Sequence, residues 1–131
     1  MTPDDAAWMI ALGRKRYPLN YDGIAADSWF CEIVLKSPLM FFAARTEHAF
    51  CISMLTCNPW TPAEFETHVV ALCSDDGWMW ETLPLLRASI EFARRRKCAR
   101  WNIVSETQFD LGPLAMRVGA KQKTPRYTLD L

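Results

Sequence analysis

The sequence has little of what marks membrane, disulfide-rich or metal-binding proteins. No apolar run approaches the roughly 18 residues of a membrane-spanning helix, and the first residues lack the basic and apolar stretches of a secretory signal. It has two histidines, His48 and His68, far apart in the sequence, and five cysteines scattered without a Cys-x-x-Cys pair. We therefore expect a cytoplasmic protein with reduced thiols, no disulfide framework, no membrane association and no metal site.

The chain also has no excess of charge of either sign, because 15 Lys and Arg residues balance 15 Asp and Glu residues. Without a net field, nothing general attracts the chain to nucleic acid or to an anionic membrane. One basic cluster, Arg94 to Lys97 with Arg100, could meet a nucleic-acid backbone or a ligand phosphate, but a solvated helix end is the better interpretation. Nucleic-acid binding is therefore the weakest of three functional hypotheses.

At 131 residues, half of them apolar, the chain fits a single domain over 1–131 with one core. Apolar periodicity and turn residues predict alternating helices and strands. The predicted elements are helices over 3–16 and 21–35, strands over 39–45, 49–57 and 66–74, a helix over 82–97, a strand over 100–105, a short helix over 111–118 and a strand over 126–131.

Two of these elements matter most for function. The third strand has four consecutive apolar residues, Val69 to Leu72, which is typical of a strand at the centre of a sheet. The following helix is expected to be capped by Thr82 and to bury a stripe of apolar residues. That stripe is predicted to be Leu83, Leu86, Ile90 and Ala93, with Leu85 and Phe92 beside it.

The end of the chain carries the most specific motif. The segment 111–120, LGPLAMRVGA, is followed by Pro125, Arg126 and Tyr127. It resembles the short helix and closing strand of the GNAT N-acyltransferase superfamily, and the order of elements is similar over nearly the whole chain. The resemblance implies an α/β protein with the GNAT (acyl-CoA N-acyltransferase) fold, a single mixed, mostly antiparallel sheet flanked by helices.

The resemblance also implies a ligand, acetyl-CoA as co-substrate, and an acceptor amine on a small molecule or a protein. Acetyl-CoA would lie against the central strand, and its pyrophosphate would bind backbone N–H groups of the next loop, where the N-terminus of a helix favours anions. The binding residues implied in this way are Val70, Ala71, Leu72 and Cys73 of the strand, Gly77, Trp78, Met79, Trp80, Glu81 and Thr82 of the loop, and Gln108.

The loop departs from the family's [Q/R]-x-x-G-x-[G/A] signature, whose three defining positions hold Gly77, Trp80 and Thr82. The Trp80 ring would block close approach of phosphate to the backbone unless it turns away. Asp75, Asp76 and Glu81 add negative charge where an anion should bind. The family's tyrosine acid is replaced by Ala115 in the short helix.

Glu66 and His68 are the candidate general bases. They lie two residues apart, so on a strand they share one face, and either could deprotonate an amine; the alternative is a solvent-facing pair at the start of the strand. Tyr127 could replace the missing acid, or pack in the closing strand. His48, in a hairpin turn, is expected at the surface.

Two main hypotheses follow. The first is an acetyl-CoA-dependent N-acetyltransferase of unknown acceptor. The second is a non-catalytic GNAT-like module of viral or mobile-element origin, which would bind a partner protein through Trp78 and Trp80. Packing of these indoles beneath the hairpin is the competing interpretation, and a homodimer stays open.

Overall fold

The computed structural model describes residues 2–16, 29–58, 60–103, 111–121 and 129. Helix α1 spans Pro3–Arg16, as predicted. Thr2 and Asp5 cap it reciprocally: the Thr2 N–H donates to Asp5 Oδ2 at 2.9 Å, and the Asp5 N–H donates to Thr2 Oγ1 at 3.3 Å. Most of the helix predicted over 21–35 lies outside the described residues, and its end forms a π-helical segment, Trp29–Val34.

Within the described residues, four strands form one mixed sheet in the order β1-β2-β3-β4. Their bounds are Phe41–Arg45, Ala49–Asn58, Thr61–Ser74 and Arg100–Ile103. The first three strands pair antiparallel and β4 pairs parallel to β3, so the predicted hairpin and the internal position of the third strand are confirmed. However, β3 begins at Thr61 rather than near Glu66, because the pairing with β2 already starts with Thr61 opposite Asn58.

A β-bulge interrupts β3 at Val70. Ile52 pairs with Ala71 and the next residue, Ser53, pairs with Val69, so Val70 has no counterpart on β2. The extra residue shifts the alternation of side chains between the two faces. As a result Val69 and Leu72 contact the same hydrophobic cluster, which explains the unbroken apolar run of this strand.

The core is divided between the two faces of the sheet. On one face α1 packs against residues of β2 and β3, and the buried cluster is Ala6, Met9, Leu12, Val34, Phe50, Ile52 and Cys73. On the other face helix α2, Thr82–Arg95, packs against β2, and the buried cluster is Ala49, Cys51, Leu85 and Leu86.

The predicted buried stripe of α2 was right for Leu86 and Ala93 and wrong for Leu83 and Ile90. The helix is rotated so that Leu85 and Ser89 are buried with the first pair, whereas Leu83 and Ile90 are only half-buried. The predicted cap was wrong. Thr82 does not cap the helix: its hydroxyl donates to the carbonyl of Met79 at 2.6 Å, and no side chain caps this end.

The short helix α3 spans Gly112–Arg117 and ends before Gly119, whose φ of 84° is the left-handed conformation that glycine adopts readily. This ending was predicted. The continuation of β4 to residue 105 and the strand expected over 126–131 lie outside the described residues. No helix in the described part of the chain is long and apolar enough to cross a membrane.

Candidate functional site

The bulge on β3 lies where the described pairing of β3 with β4 ends. That pairing runs from Glu66 opposite Arg100 to Val69 opposite Ile103, and the bulged residue Val70 follows immediately. The Val70 side chain is 43% exposed. A bulge bends its strand and increases the local twist, so β3 changes direction at this point.

The other predicted strand residues have their side chains in the core. Ala71 contacts the buried cluster on the α1 face of the sheet, and Leu72 contacts the buried cluster on the α2 face. Cys73 is buried within the cluster on the α1 face. A ligand on this part of β3 would therefore meet backbone rather than these side chains.

The predicted phosphate loop follows β3 and leads directly into α2. Gly77 has a φ of 80°, and a Cβ at this position would meet nothing within 4 Å. A 3₁₀ turn, Met79–Glu81, then runs into Thr82, the first residue of α2. The first N–H groups of such a turn have no acceptor within the turn, so Met79 and Trp80 present backbone donors at a helix start.

The two loop tryptophans differ in their contacts. Trp78 stacks on His48 of the hairpin turn, with ring centroids 3.9 Å apart and planes 17° apart. Trp80 lies beside Trp78 at 5.8 Å and is 64% exposed. Packing against the hairpin is therefore correct for Trp78. His48, expected at the surface, is half-buried there because the indole covers one face of its imidazole and leaves its side chain 25% exposed.

The three loop carboxylates all interact with other parts of the fold. Oε2 of Glu81 accepts hydrogen bonds from the Thr46 hydroxyl and, at 3.0 Å, from the His48 N–H. Asp75 lies 3.6 Å from Nζ of Lys15 and 3.6 Å from Nδ1 of His48.

Arg16 completes this arrangement, because its Nη1 lies 2.7 Å from Asp76 and its Nε donates to the Ser74 carbonyl at 2.7 Å. Helix α1 and the hairpin turn therefore hold the loop from two sides. The negative charge expected to repel a phosphate is shared with neighbouring donors and cations.

Glu66 and His68 lie together on β3, as their spacing predicts. Their closest oxygen and nitrogen, Oε2 and Nε2, are 3.4 Å apart. Arg100 joins them: its Nε donates to Oε1 of Glu66, and its Nη2 lies 3.3 Å from Glu64. The hydrogen bond from Arg100 is the main reason that the pKa of Glu66 is lowered.

Sequence reasoning missed the role of Arg100 because it grouped this residue with the helix-end arginines. The signal was its position as the first residue of β4, directly opposite Glu66. Of the other predicted site residues, Gln108 and Tyr127 lie outside the described residues. Within the described ranges, no three His, Cys, Asp or Glu side chains are grouped as a metal site would need.

Two arginines of the basic cluster have partners on the same helix. Arg94 pairs with Glu91, and the Arg96 guanidinium lies 5.2 Å from the ring of Phe92. Arg94 also borders a cleft of about 310 Å³ between α2 and α3. The cleft is lined by Arg87, Ile90, Glu91, Arg94, Arg117 and Val118.

The fold of the chain is similar over its whole length to that of solved structures. A transcriptional regulator from Bacillus halodurans C-125 matches 100% of this chain and 96% of its own, with a TM-score of 0.79 and 13% identity. A predicted acetyltransferase with acetyl-CoA from Clostridium acetobutylicum matches 99% and 92%, with a TM-score of 0.74 and 14% identity. The chain has the GNAT fold. The fold class implied by the sequence is therefore confirmed.

A third GNAT-fold structure, ribosomal-protein-alanine N-acetyltransferase from Brucella melitensis, matches 100% of this chain and 96% of its own, with a TM-score of 0.70 and 14% identity. No family model matches the chain, and no curated protein matches it in sequence. Identities this low establish the GNAT fold alone, and function has to be argued from the site.

Proposed function

We propose that the chain is an acetyl-CoA-dependent N-acetyltransferase that acts on a small-molecule or protein amine in the cytoplasm. The observation that carries the proposal is the bulge at Val70, which directly follows the last described β3–β4 pair, Val69 and Ile103. A strand that changes direction beside a parallel neighbour offers backbone groups to an extended ligand. The thioester arm of acetyl-CoA is such a ligand.

The loop after β3 supports the same proposal. Backbone N–H groups of Met79 and Trp80, at the start of the turn that leads into α2, suit the pyrophosphate of acetyl-CoA. The exposed Trp80 ring is not packed into the core beneath the loop. Because Asp75, Asp76 and Glu81 have partners elsewhere in the fold, the repulsion of a phosphate at this loop is reduced.

The cleft between α2 and α3 supplies positive charge on the same side of the sheet as α2. Arg87, Arg94 and Arg117 line it with one carboxylate, Glu91, which pairs with Arg94. Ile90 and Val118 give the cleft an apolar part. Guanidinium groups bind phosphate by paired hydrogen bonds. We assign this cleft to the 3′-phosphate end of acetyl-CoA.

For the reaction, Glu66 and His68 supply the two candidate general bases, and Tyr127 remains the candidate acid. Catalysis would rest mainly on holding the amine and the thioester in contact, with proton removal by one of the bases.

Binding of acetyl-CoA is the first test, measured by calorimetric titration and thermal shift up to millimolar ligand. We expect heat of binding and a higher unfolding temperature with both acetyl-CoA and CoA. Dephospho-CoA, which lacks the 3′-phosphate, should bind the wild type more weakly than CoA does. Because Arg87 would contact only that phosphate, dephospho-CoA should bind Arg87→Ala as tightly as it binds the wild type. Absence of both heat and thermal shift would reject the proposal.

A second function is favoured by one observation, the 64% exposure of Trp80 beside Trp78. Large exposed aromatic side chains are typical of interaction surfaces. If acetyl-CoA does not bind, a non-catalytic module that binds a protein or a second copy of the chain becomes the better candidate. Sedimentation of the wild type and Trp80→Ala would then show whether the chain self-associates through this indole.

A further inference from the structure

The three side chains Arg100, Glu66 and His68 form a directed chain of contacts across β4 and β3. Arg100 donates through Nε to one oxygen of Glu66, and the other oxygen of Glu66 faces Nε2 of His68 at 3.4 Å. Glu66 therefore uses both of its oxygens within the fold. A carboxylate that is held in this way is a poor proton acceptor, because the arginine stabilises its charged form.

His68 is better placed than Glu66 to reach a substrate on the bulged part of β3. Strand geometry sets about 3.3 Å per residue, so His68 lies about 7 Å from Val70 along the strand and Glu66 about 13 Å. The His68 side chain is also more exposed, at 36% against 20% for Glu66.

We infer that His68 is the general base of this site, and that Glu66 and Arg100 are positioning residues that fix the orientation and tautomer of its ring. The inference rests on the proposed acetyltransferase function. Because Nε2 of His68 faces a carboxylate, that nitrogen carries the proton in the neutral ring, and Nδ1 has the free electron pair.

The reaction then has a defined proton path. The amine nitrogen forms a bond to the acetyl carbonyl carbon, and the bond from that carbon to the CoA sulfur breaks. The proton lost by the amine passes to Nδ1 of His68. The departing CoA thiolate takes a proton from solvent, and the Glu66 carboxylate stabilises the imidazolium that has formed.

The kinetic test compares variants by CoA release from acetyl-CoA with a panel of primary amines as probes: spermidine, glucosamine, an aminoglycoside and a lysine-containing peptide. We expect His68→Gln to lose at least about 100-fold in kcat/KM and Glu66→Gln about tenfold. Glu32→Gln is the matched control, because Glu32 pairs only with Lys36 at an exposed site among the described contacts.

The two single variants separate the two candidate bases. If His68 takes the proton of the amine, His68→Gln should lose more activity than Glu66→Gln, because the glutamine amide cannot accept that proton. An unimpaired His68→Gln, together with an inactive Glu66→Gln, would make Glu66 the base and overturn the inference while the acetyltransferase function stands.

The positioning role has a readout that needs no substrate. Side-chain nitrogen NMR of the neutral ring should show the proton of His68 on Nε2 in the wild type and a larger Nδ1–H population in Glu66→Gln. His48→Gln assigns the signals, because the chain has two histidines. Equal tautomer populations in wild type and Glu66→Gln would reject the positioning role. If no amine of the panel is acetylated and acetyl-CoA does not bind, the proposed function and the base assignment fail together. The NMR result then still shows whether Glu66 orients the ring of His68.

Discussion

The indole of Trp78 lies flat on the imidazole of His48, which joins the candidate phosphate loop to the turn between β1 and β2. The same turn donates two hydrogen bonds to Glu81, from the Thr46 hydroxyl and the His48 N–H. A loop that is ordered before a ligand arrives loses less conformational entropy when the ligand binds. The conformation of residues 75–81 thus depends on contacts of a hairpin that is distant in sequence.

We predict that Glu81→Ala loosens this loop. Both donors of the hairpin turn lose their charged acceptor, which should cost about 1–2 kcal/mol of stability. Amide hydrogen exchange of residues 75–81 should become at least tenfold faster and acetyl-CoA affinity should fall, as measured by mass spectrometry and calorimetry. Glu47→Ala is the control, because Glu47 is adjacent to His48 and 85% exposed. Unchanged loop exchange in Glu81→Ala would show that the stacked rings suffice.

The sequence resemblance puts Trp80 where the GNAT signature has glycine, and its exposed ring could either block or contact a ligand at the loop. If the ring limits access of the pyrophosphate to the loop backbone, Trp80→Gly should bind acetyl-CoA roughly three- to tenfold more tightly, equivalent to about 1 kcal/mol. Trp80→Ala removes the ring without adding the backbone freedom of glycine, so it separates the two effects. Weaker binding by both variants would instead mean that the indole contacts the ligand.

The sequence predicted the order of the described elements well, because helices and strands each follow from a local period of apolar residues. The hairpin is an example: two β-rich runs flank Thr46, Glu47 and His48, and the strands pair there. The bulge at Val70 could not be predicted in this way. The apolar run fits a regular strand covered on both faces as well as it fits a bulged strand. Only the pairing of Ile52 and Ser53 with Ala71 and Val69 shows that Val70 is the extra residue.

The site was predictable in part for a similar reason. The spacing of Glu66 and His68 puts them on one face of a strand, whereas their contact with Arg100 depends on the register between β3 and β4, more than thirty residues apart. The rotation of α2 was missed because Ser89 is polar and was not considered a core residue. Ser89 is fully buried since it has hydrogen-bonding partners inside the core.

Those partners give a third prediction. Ser89 Oγ lies 2.6 Å from Ser53 Oγ and accepts a hydrogen bond from Nε1 of Trp101 at 2.9 Å. Ser89→Ala should lower the free energy of unfolding by about 1–3 kcal/mol, because it leaves buried polar groups without a partner. Ser53→Ala should cost less stability in the Ser89→Ala background than in the wild type. Denaturant unfolding of the wild type, the two single variants and the double variant should therefore give a favourable coupling energy between the two hydroxyls. Strict additivity would show that the two hydroxyls do not interact.

The buried thiol of Cys51 makes the stability depend on alkaline pH. Burial raises its pKa to about 12. The thiol ionises near pH 9 in the unfolded chain and stays protonated to higher pH in the folded protein. The stability that depends on this protonated thiol is therefore fully present below pH 9 and is lost as the pH rises from 9 towards 12. Each pH unit in this window should lower the free energy of unfolding by about 1.4 kcal/mol.

Cys51→Ala removes this dependence while leaving every other titrating group in place. Denaturant unfolding at pH 8 and at pH 10.5 should therefore show a loss of stability that is larger in the wild type than in the variant, by about 2 kcal/mol. The cavity left by the missing sulfur lowers stability equally at both pH values, so it cancels in the comparison. Cys57→Ala, at an exposed cysteine, should behave like the wild type. Equal losses in the wild type and Cys51→Ala would mean that the thiol ionises as readily in the folded protein as in the unfolded chain.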